Sequence, residues 1–336
     1  MTPGLTDLLA SPDHYLHAFR GDAAIFMPMD REAYHRSIFL DARISPAAKR
    51  PVQVPVRRLA GAVPPPSPIS WIFHVAHCGS TLLSRALDQL HTNLVLREPL
   101  ALRQLAFAYD VERRSILISL LSRRSRAELP TVVKANVPVN FLLPDLVGLG
   151  AQARSIFLHL CLDDYLLAIL RNDSNRLWLR RVTTELRPYL GDSSALTDPE
   201  RAAALWKMQM ECFASTIARF PSARSLDAEA FFAAPRDGIR LAANHLKVPM
   251  TDFEIDTIVA GPLFTTYSKK PDEAFNNDMR LARRSSLECS LGPELEQGRN
   301  WLAGNGGAGK AIEVIASAAL KDRQGPAAGQ AVAAGP

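Results

Sequence analysis

The sequence predicts an α/β fold of three layers, with a mostly parallel central sheet flanked by helices. Two observations carry that expectation. Apolar runs of strand length alternate with segments whose apolar residues recur at helical spacing. The alternation opens on an apolar run, Trp71 to Ala76, then a tight polar segment, His77-Cys78-Gly79-Ser80-Thr81, then Leu82, Leu83, Ala86, Leu87 and Leu90 at helical spacing.

In chain order, residues 1–62 read as an α/β preface of short apolar pieces, such as Ala24-Ile25-Phe26-Met27 and Ser37-Ile38-Phe39-Leu40. Residues 63–69 hold Val63-Pro-Pro-Pro-Ser-Pro68, a stiff polyproline-like connector. The core domain, 70–300, has expected strands at 71–76, 93–97, 131–134, 154–160 and about 223–226. Helices are expected at 80–91, 99–108, 111–126, 138–148, 162–172 and 198–219. The last of these has a strong start, Thr197-Asp198-Pro199-Glu200: a capping residue, a proline in the first turn, then an acid near the positive end of the helix dipole. The segment 301–336 turns to Gly, Ala, Gln and Pro and reads as a largely disordered tail.

Composition narrows the function. A chain of 336 residues with 47% hydrophobic content fits one large α/β domain or two small ones. No apolar run reaches the length of a membrane span, and the start lacks the pattern of a signal peptide. The four cysteines, Cys78, Cys161, Cys212 and Cys289, form no CxxC pair, which argues against a disulfide framework or a zinc site and fits a reducing cytoplasm. A net charge of +5 suits an anionic ligand but is too diffuse to imply nucleic acid. The basic clusters Arg113-Arg114 and Arg123-Arg124 sit beside Ile116, Leu117, Leu120 and Leu121 and read as the solvated side of an amphipathic helix.

Strand, glycine-containing loop and helix together point unpaired backbone N–H groups at an anion, where the helix dipole adds about 0.3–1 kcal/mol. Against the nucleotide-hydrolase pattern G-x-x-x-x-G-K-[ST], His74 stands at the first glycine, Gly79 at the second, Ser80 at the lysine and Thr81 at the hydroxyl. The missing lysine, and the lack of a clear acidic strand end for Mg²⁺, speak against ATP hydrolysis. An ordinary strand-turn-helix with Gly79 as its turn residue is the plain alternative. A second glycine stretch, Gly304-Asn-Gly-Gly-Ala-Gly309-Lys310-Ala311, nearly matches the same pattern. It lacks a preceding strand and reads as a flexible linker.

Gly79-Ser80-Thr81-Leu82-Leu83-Ser84-Arg85 resembles the 5′-phosphosulfate loop of the sulfotransferases, within the P-loop nucleotide-binding superfamily. The likeness is to a bacterial group whose His-Cys-Gly-Ser-Thr-Leu-Leu-Ser-Arg loop is followed by an Arg-Glu-Pro segment, here Arg97-Glu98-Pro99. It extends more weakly over residues 15 to 275. It implies the three-layer P-loop fold and transfer of a sulfuryl group from 3′-phosphoadenosine 5′-phosphosulfate to a small-molecule hydroxyl or amine, with no metal. The backbone of His77, Cys78, Gly79, Ser80 and Thr81 would cradle the 5′ anion, with the Ser80 and Thr81 hydroxyls. Arg85 could add a cation or be a structural helix arginine.

Glu98 closes the second expected strand, on the rim where ligands of parallel sheets gather. It reads as the acceptor's base, as in related sulfotransferases, or as a first-turn carboxylate stabilised by the dipole. Lys134 closes the third strand, where sulfotransferases often carry a lysine. It could steady the transferring group or simply reach solvent. His77 could be a base or donor, or merely polar, and Asn136 could lend a hydrogen bond. One departure stands out. The family's 3′-phosphate site has an Arg near the end of the fourth strand and a Ser eight residues on; Leu160 and Ala168 occupy those positions here. Arg171, with Lys269 or Lys270, could substitute. Without a substitute the donor's 3′-phosphate would lose its charged contacts, and the activity would use another donor or be absent; the second reading is a non-catalytic domain that binds a nucleotide or anion. A phosphotransferase or NTPase is a further alternative. The sequence names no acceptor.

Overall fold

The computed structural model describes residues 4–146, 153–267 and 270–321. Three antiparallel strands come first: β1 (His14–Arg20), β2 (Ala23–Pro28) and β3 (Val52–Pro55), in the order β1-β2-β3. The core sheet has five strands: β4 (Ile69–His74), β5 (Val95–Arg97), β6 (Thr131–Lys134), β7 (Arg154–His159) and β8 (Ala223–Asp227). Their order is β5-β6-β4-β7-β8, and every pairing is parallel. A short ribbon of β9 (Thr266–Tyr267) and β10 (Lys270–Ala274) follows.

All six residues of β4 are buried. Side chains of a strand alternate between faces, so both faces of the sheet are covered. One face stacks Trp71 on Phe73 and Phe73 on Phe157, with ring centroids 5.5 and 5.4 Å apart, and Phe213 of the helix Asp198–Arg219 closes on Phe157 at 4.9 Å. That helix begins and ends where the sequence places it; Glu200 accepts the Thr197 backbone N–H and hydroxyl at 2.9 and 2.8 Å.

Four expectations need correction. Arg123 is not on a solvated helix side: it follows the helix Val111–Leu121, is buried, and donates to the carbonyls of Leu8, Ser11 and His14. The helix expected over 138–148 is a 3₁₀ segment, Val137–Leu142, running into the short helix Leu143–Leu146, while residues 147–148 lie outside the described residues. Pro144 has no N–H to close an α-helical bond onto Asn140, so the first turns tighten instead. The helix Asp173–Glu185 was not anticipated: its Asn, Arg and Thr residues mask the apolar stripe of Leu179 and Val182, and Asn172 caps it by accepting the Asn175 N–H at 2.9 Å. The glycine stretch at 304–311 is not a flexible linker. Gly306 and Gly307, both at positive φ, turn the chain between the helices Gly292–Gly304 and Gly309–Ser317, and Ala311 and Ile315 are buried. A helix, not a strand, precedes it. Gly325 to Pro336 lie outside the described residues. Among the described residues, no helix is long and apolar enough to cross a membrane.

Candidate active site

A cleft of about 700 Å³ lies across the carboxyl ends of the core strands. Its centre is the loop after β4. The strand ends at His74, two residues before the sequence suggested, which leaves Val75 to Gly79 to make the turn. His77 and Gly79 take left-handed backbone angles, with φ of 59° and 80°. Left-handed residues so spaced curl a backbone into the concave form that receives anions. Gly79 is required twice over. A side chain is strained at that φ, and a Cβ there would meet the Phe232 ring at 2.6 Å. The helix Ser80–Ala86 starts directly after it.

Two neighbouring strands bring charge to the loop. Lys134, at the end of β6, is buried and ion-paired to Glu98, and its Nζ lies 3.3 Å from Thr81 Oγ1. Glu98 follows β5 and has a positive φ of 54° although it carries a full side chain, a conformation costing about 1–3 kcal/mol. Its N–H extends the ladder by donating to the Lys134 carbonyl at 2.8 Å. His74 Nε2 stands 4.0 Å from the Glu98 carboxylate.

Beneath this rim Arg97, only 1% exposed, is ion-paired to the fully buried Asp88 and donates to the carbonyls of Tyr34, His35, Ser37 and Ile38. Burial alone would push the Asp88 carboxyl up. His35, Arg97 and Arg31 outweigh it and hold the group at about 2.

Of the residues singled out from sequence, His77, Gly79, Ser80, Thr81, Glu98, Lys134, Asn136 and Arg171 all line this cleft. Cys78 and Arg85 do not. The Cys78 thiol is buried and donates to the Val75 carbonyl at 2.9 Å, so only its backbone is on hand for a ligand. Arg85 is about 6 Å further down the helix than Thr81, at 1.5 Å per residue. Burial, then the charge of Arg97, lowers its pKa.

Leu160 and Ala168 line the opposite half of the cleft and present no charge there, and the Leu160 carbonyl is taken by Trp206 Nε1 at 2.9 Å. Around them stand Arg171, 3.2 Å from the Tyr267 hydroxyl, and the helix Asn277–Ser290 with Arg280, Arg283 and Arg284. Arg280 is paired to Glu229 and Arg284 to Asp164, each at 2.6 Å. Arg283 packs over the Phe275 ring at 5.1 Å. Lys269 lies outside the described residues, as does the Lys270 side chain.

Sequence reasoning passed over His74 as a cleft residue, the arginines of Asn277–Ser290, and Phe39, Asp41 and Arg43 from the N-terminal part. Apart from His74, which stands at the first glycine of the loop pattern, none belongs to a local motif. The polar, arginine-rich stretch at 280–284 was the one available signal. Among the described residues, no group of three or more His, Cys, Asp and Glu gathers as a metal site.

No family model and no curated protein matches the chain. Two similar solved structures are sulfotransferases. One is the sulfotransferase domain from the curacin biosynthetic pathway, with 12% identity and a TM-score of 0.41 over 68% of this chain and 98% of that one. The other is a sulfotransferase from Alicyclobacillus acidocaldarius, with 14% identity and a TM-score of 0.40 over 74% of this chain and 96% of that one.

Proposed function

We propose that the chain is a sulfotransferase-like enzyme that moves a sulfuryl group from 3′-phosphoadenosine 5′-phosphosulfate to a hydroxyl or amine of a small molecule. The observation that carries this reading is the meeting of Lys134, Thr81 and Glu98 beside the left-handed loop, on the rim of the cleft. In this reading the 77–81 backbone, with the Ser80 and Thr81 hydroxyls, receives the 5′ anion. The acceptor oxygen attacks sulfur in line, and the bond from sulfur to the 5′-phosphate oxygen breaks. Lys134 balances the charge that grows on that leaving oxygen. Glu98 takes the acceptor's proton, and the products are the sulfate ester, or the sulfamate of an amine, and 3′-phosphoadenosine 5′-phosphate. His77, edge-on to Trp178 at 5.9 Å, is a further donor at the mouth.

The donor's 3′-phosphate meets no cation at Leu160 or Ala168. Arg171 and Arg283 are the cleft cations of that half with no carboxylate partner among the described residues, and they fit the group. The two apolar positions also favour a second reading, a non-catalytic domain that binds a nucleotide or anion. Calorimetric titration with 3′-phosphoadenosine 5′-phosphate, with Mg²⁺-ATP as comparator, separates the two. Micromolar binding lost in Ser80→Ala/Thr81→Ala, followed by transfer of labelled sulfate, supports the enzyme. Binding without transfer to any acceptor supports the second reading, and tighter binding of Mg²⁺-ATP would turn attention to phosphoryl chemistry.

A further inference from the structure

The order of the sheet divides the cleft. At one end β5 and β6 present Glu98 and Lys134. At the other, the segments after β7 and β8 present Asp164, Arg171, Glu229 and Phe232. The loop after β4 lies between. If the loop holds the 5′ anion and the β7–β8 end holds the rest of the nucleotide, the β5 end is left for the acceptor. That step rests on the function proposed above.

The wall of the β5 end comes from the N-terminal part. Leu40 donates its N–H to the Arg97 carbonyl at 2.7 Å and accepts from the Leu100 N–H at 3.2 Å, so the segment around it is bonded on both sides of Glu98-Pro99. Arg97 fixes the four carbonyls just before it. Phe39 is thereby held buried, its ring centroid 5.3 Å from Lys134 Nζ. The Arg43 guanidinium lies 3.8 Å from the same centroid. Asp41 takes Nε and Nη2 of Arg43, which leaves the Nη1 hydrogens without a partner among the described residues. The Arg43 side chain is 58% exposed and lines the cleft. Stacked on one side and gripped on one edge, it is a preoriented planar donor, which loses little freedom on binding.

We propose that Arg43 is the specificity-determining residue for the acceptor, and that it selects hydroxylated acceptors bearing a carboxylate or a comparable oxyanion. The oxyanion sits on the Nη1 edge while the acceptor's hydroxyl faces Glu98, with Arg43 and Lys134 both held beside the Phe39 ring. The other charges of this end are already paired: Asp41 with Arg43, Glu98 with Lys134, and Arg103 with Glu185 at 2.8 Å. The contact therefore acts through directed hydrogen bonds rather than a long-range field, and its effect is near tenfold rather than a thousandfold.

The test is calorimetric titration of the full chain, with and without 3′-phosphoadenosine 5′-phosphate. The ligand pairs differ only in the acid group, 4-hydroxyphenylacetate against 4-methylphenol first, then longer hydroxy acids against their neutral counterparts. The expected result is about tenfold tighter binding of the acid, a preference that Arg43→Gln erases and that Arg187→Gln, at an exposed arginine outside the cleft, keeps. Equal binding of acid and neutral ligands, a preference that survives Arg43→Gln, or no binding by any hydroxy acid would each overturn it. The parent reading fails differently, through loss of 3′-phosphoadenosine 5′-phosphate binding or of sulfuryl transfer. Transfer to neutral phenols as readily as to their acids would sink this inference alone.

Discussion

Glu98 combines a strained backbone with a paired, partly exposed carboxylate at the edge of a cleft. Such strain persists where the surroundings over-determine it, here through the Lys134 ion pair, the Lys134 carbonyl and the neighbouring Arg97 anchor. Glu98→Gln keeps an oxygen for Lys134 but loses the carboxylate that serves as base in the proposed mechanism. It is expected to stay folded at some cost in stability, because the buried Lys134 loses its counterion, and to lower sulfuryl transfer by roughly 10²–10⁴; full transfer in a folded Glu98→Gln protein would remove the glutamate from the proposed mechanism. At Gly79 the expectation concerns stability. Gly79→Ala puts an L side chain at φ 80° and against Phe232, and should cost about 1–2 kcal/mol, read as a lower urea midpoint. Gly79, Ser80 and Thr81 were legible because they are consecutive. The pairing of Lys134 with Thr81 was not, since the two residues are on different elements.

At the scale of elements, local chemistry explains most of what could be read. Thr197, Pro199 and Glu200 sit at the head of the longest helix, and Thr197→Ala is expected to cost about 1 kcal/mol in equilibrium unfolding. An unchanged midpoint would mean that packing of the buried face alone holds that helix end. The strands of the core sheet are short apolar runs bounded by polar residues, and all five occur within two residues of their expected positions. Where elements were missed, tertiary packing had overridden pattern. Asp173–Glu185 is polar over most of its surface, yet Leu179 and Val182 suffice to seat it. The glycine-rich stretch that reads as a linker is bounded by helices that bury Leu295, Ala311 and Ile315.

At the scale of the whole molecule, the half-buried His245 and the buried Asp88 tie stability to pH. Burial first, then the charges of Arg154 and Arg224, lowers His245 to about 4. It is therefore neutral in the folded protein over a range where the unfolded chain binds a proton. Its contribution is fully present above its ordinary value of about 6.5 and is lost as pH falls toward 4. Asp88, held at about 2, contributes fully above about 4 and loses that contribution as pH falls toward 2. Chemical unfolding should thus show stability declining below about pH 6.5, and His245→Gln should flatten the upper part of that decline. A slope unchanged by the substitution would assign it to other groups. Asp88→Asn leaves Arg97 buried without its counterion. It is expected to destabilise the protein by about 3–5 kcal/mol and to loosen the segment carrying Phe39 and Arg43.

The sequence by itself determined the α/β class, the parallel core strands and the loop of Gly79, Ser80 and Thr81, because hydrophobic period and consecutive motif residues act over a few neighbouring positions. It also marked Glu98 and Lys134 as strand-end residues, but not that they face each other. Only the tertiary structure decided that, because the strand order β5-β6-β4-β7-β8 brings together the ends of segments dozens of residues apart. The same holds for the wall of the cleft. Phe39 and Arg43 are unremarkable in their own stretch of chain; Phe39 reaches Lys134, with Arg43 over its ring, because Arg97 and Leu40 bond that stretch to the end of β5. Long-range hydrogen bonds of this kind leave no periodic trace in the sequence that makes them.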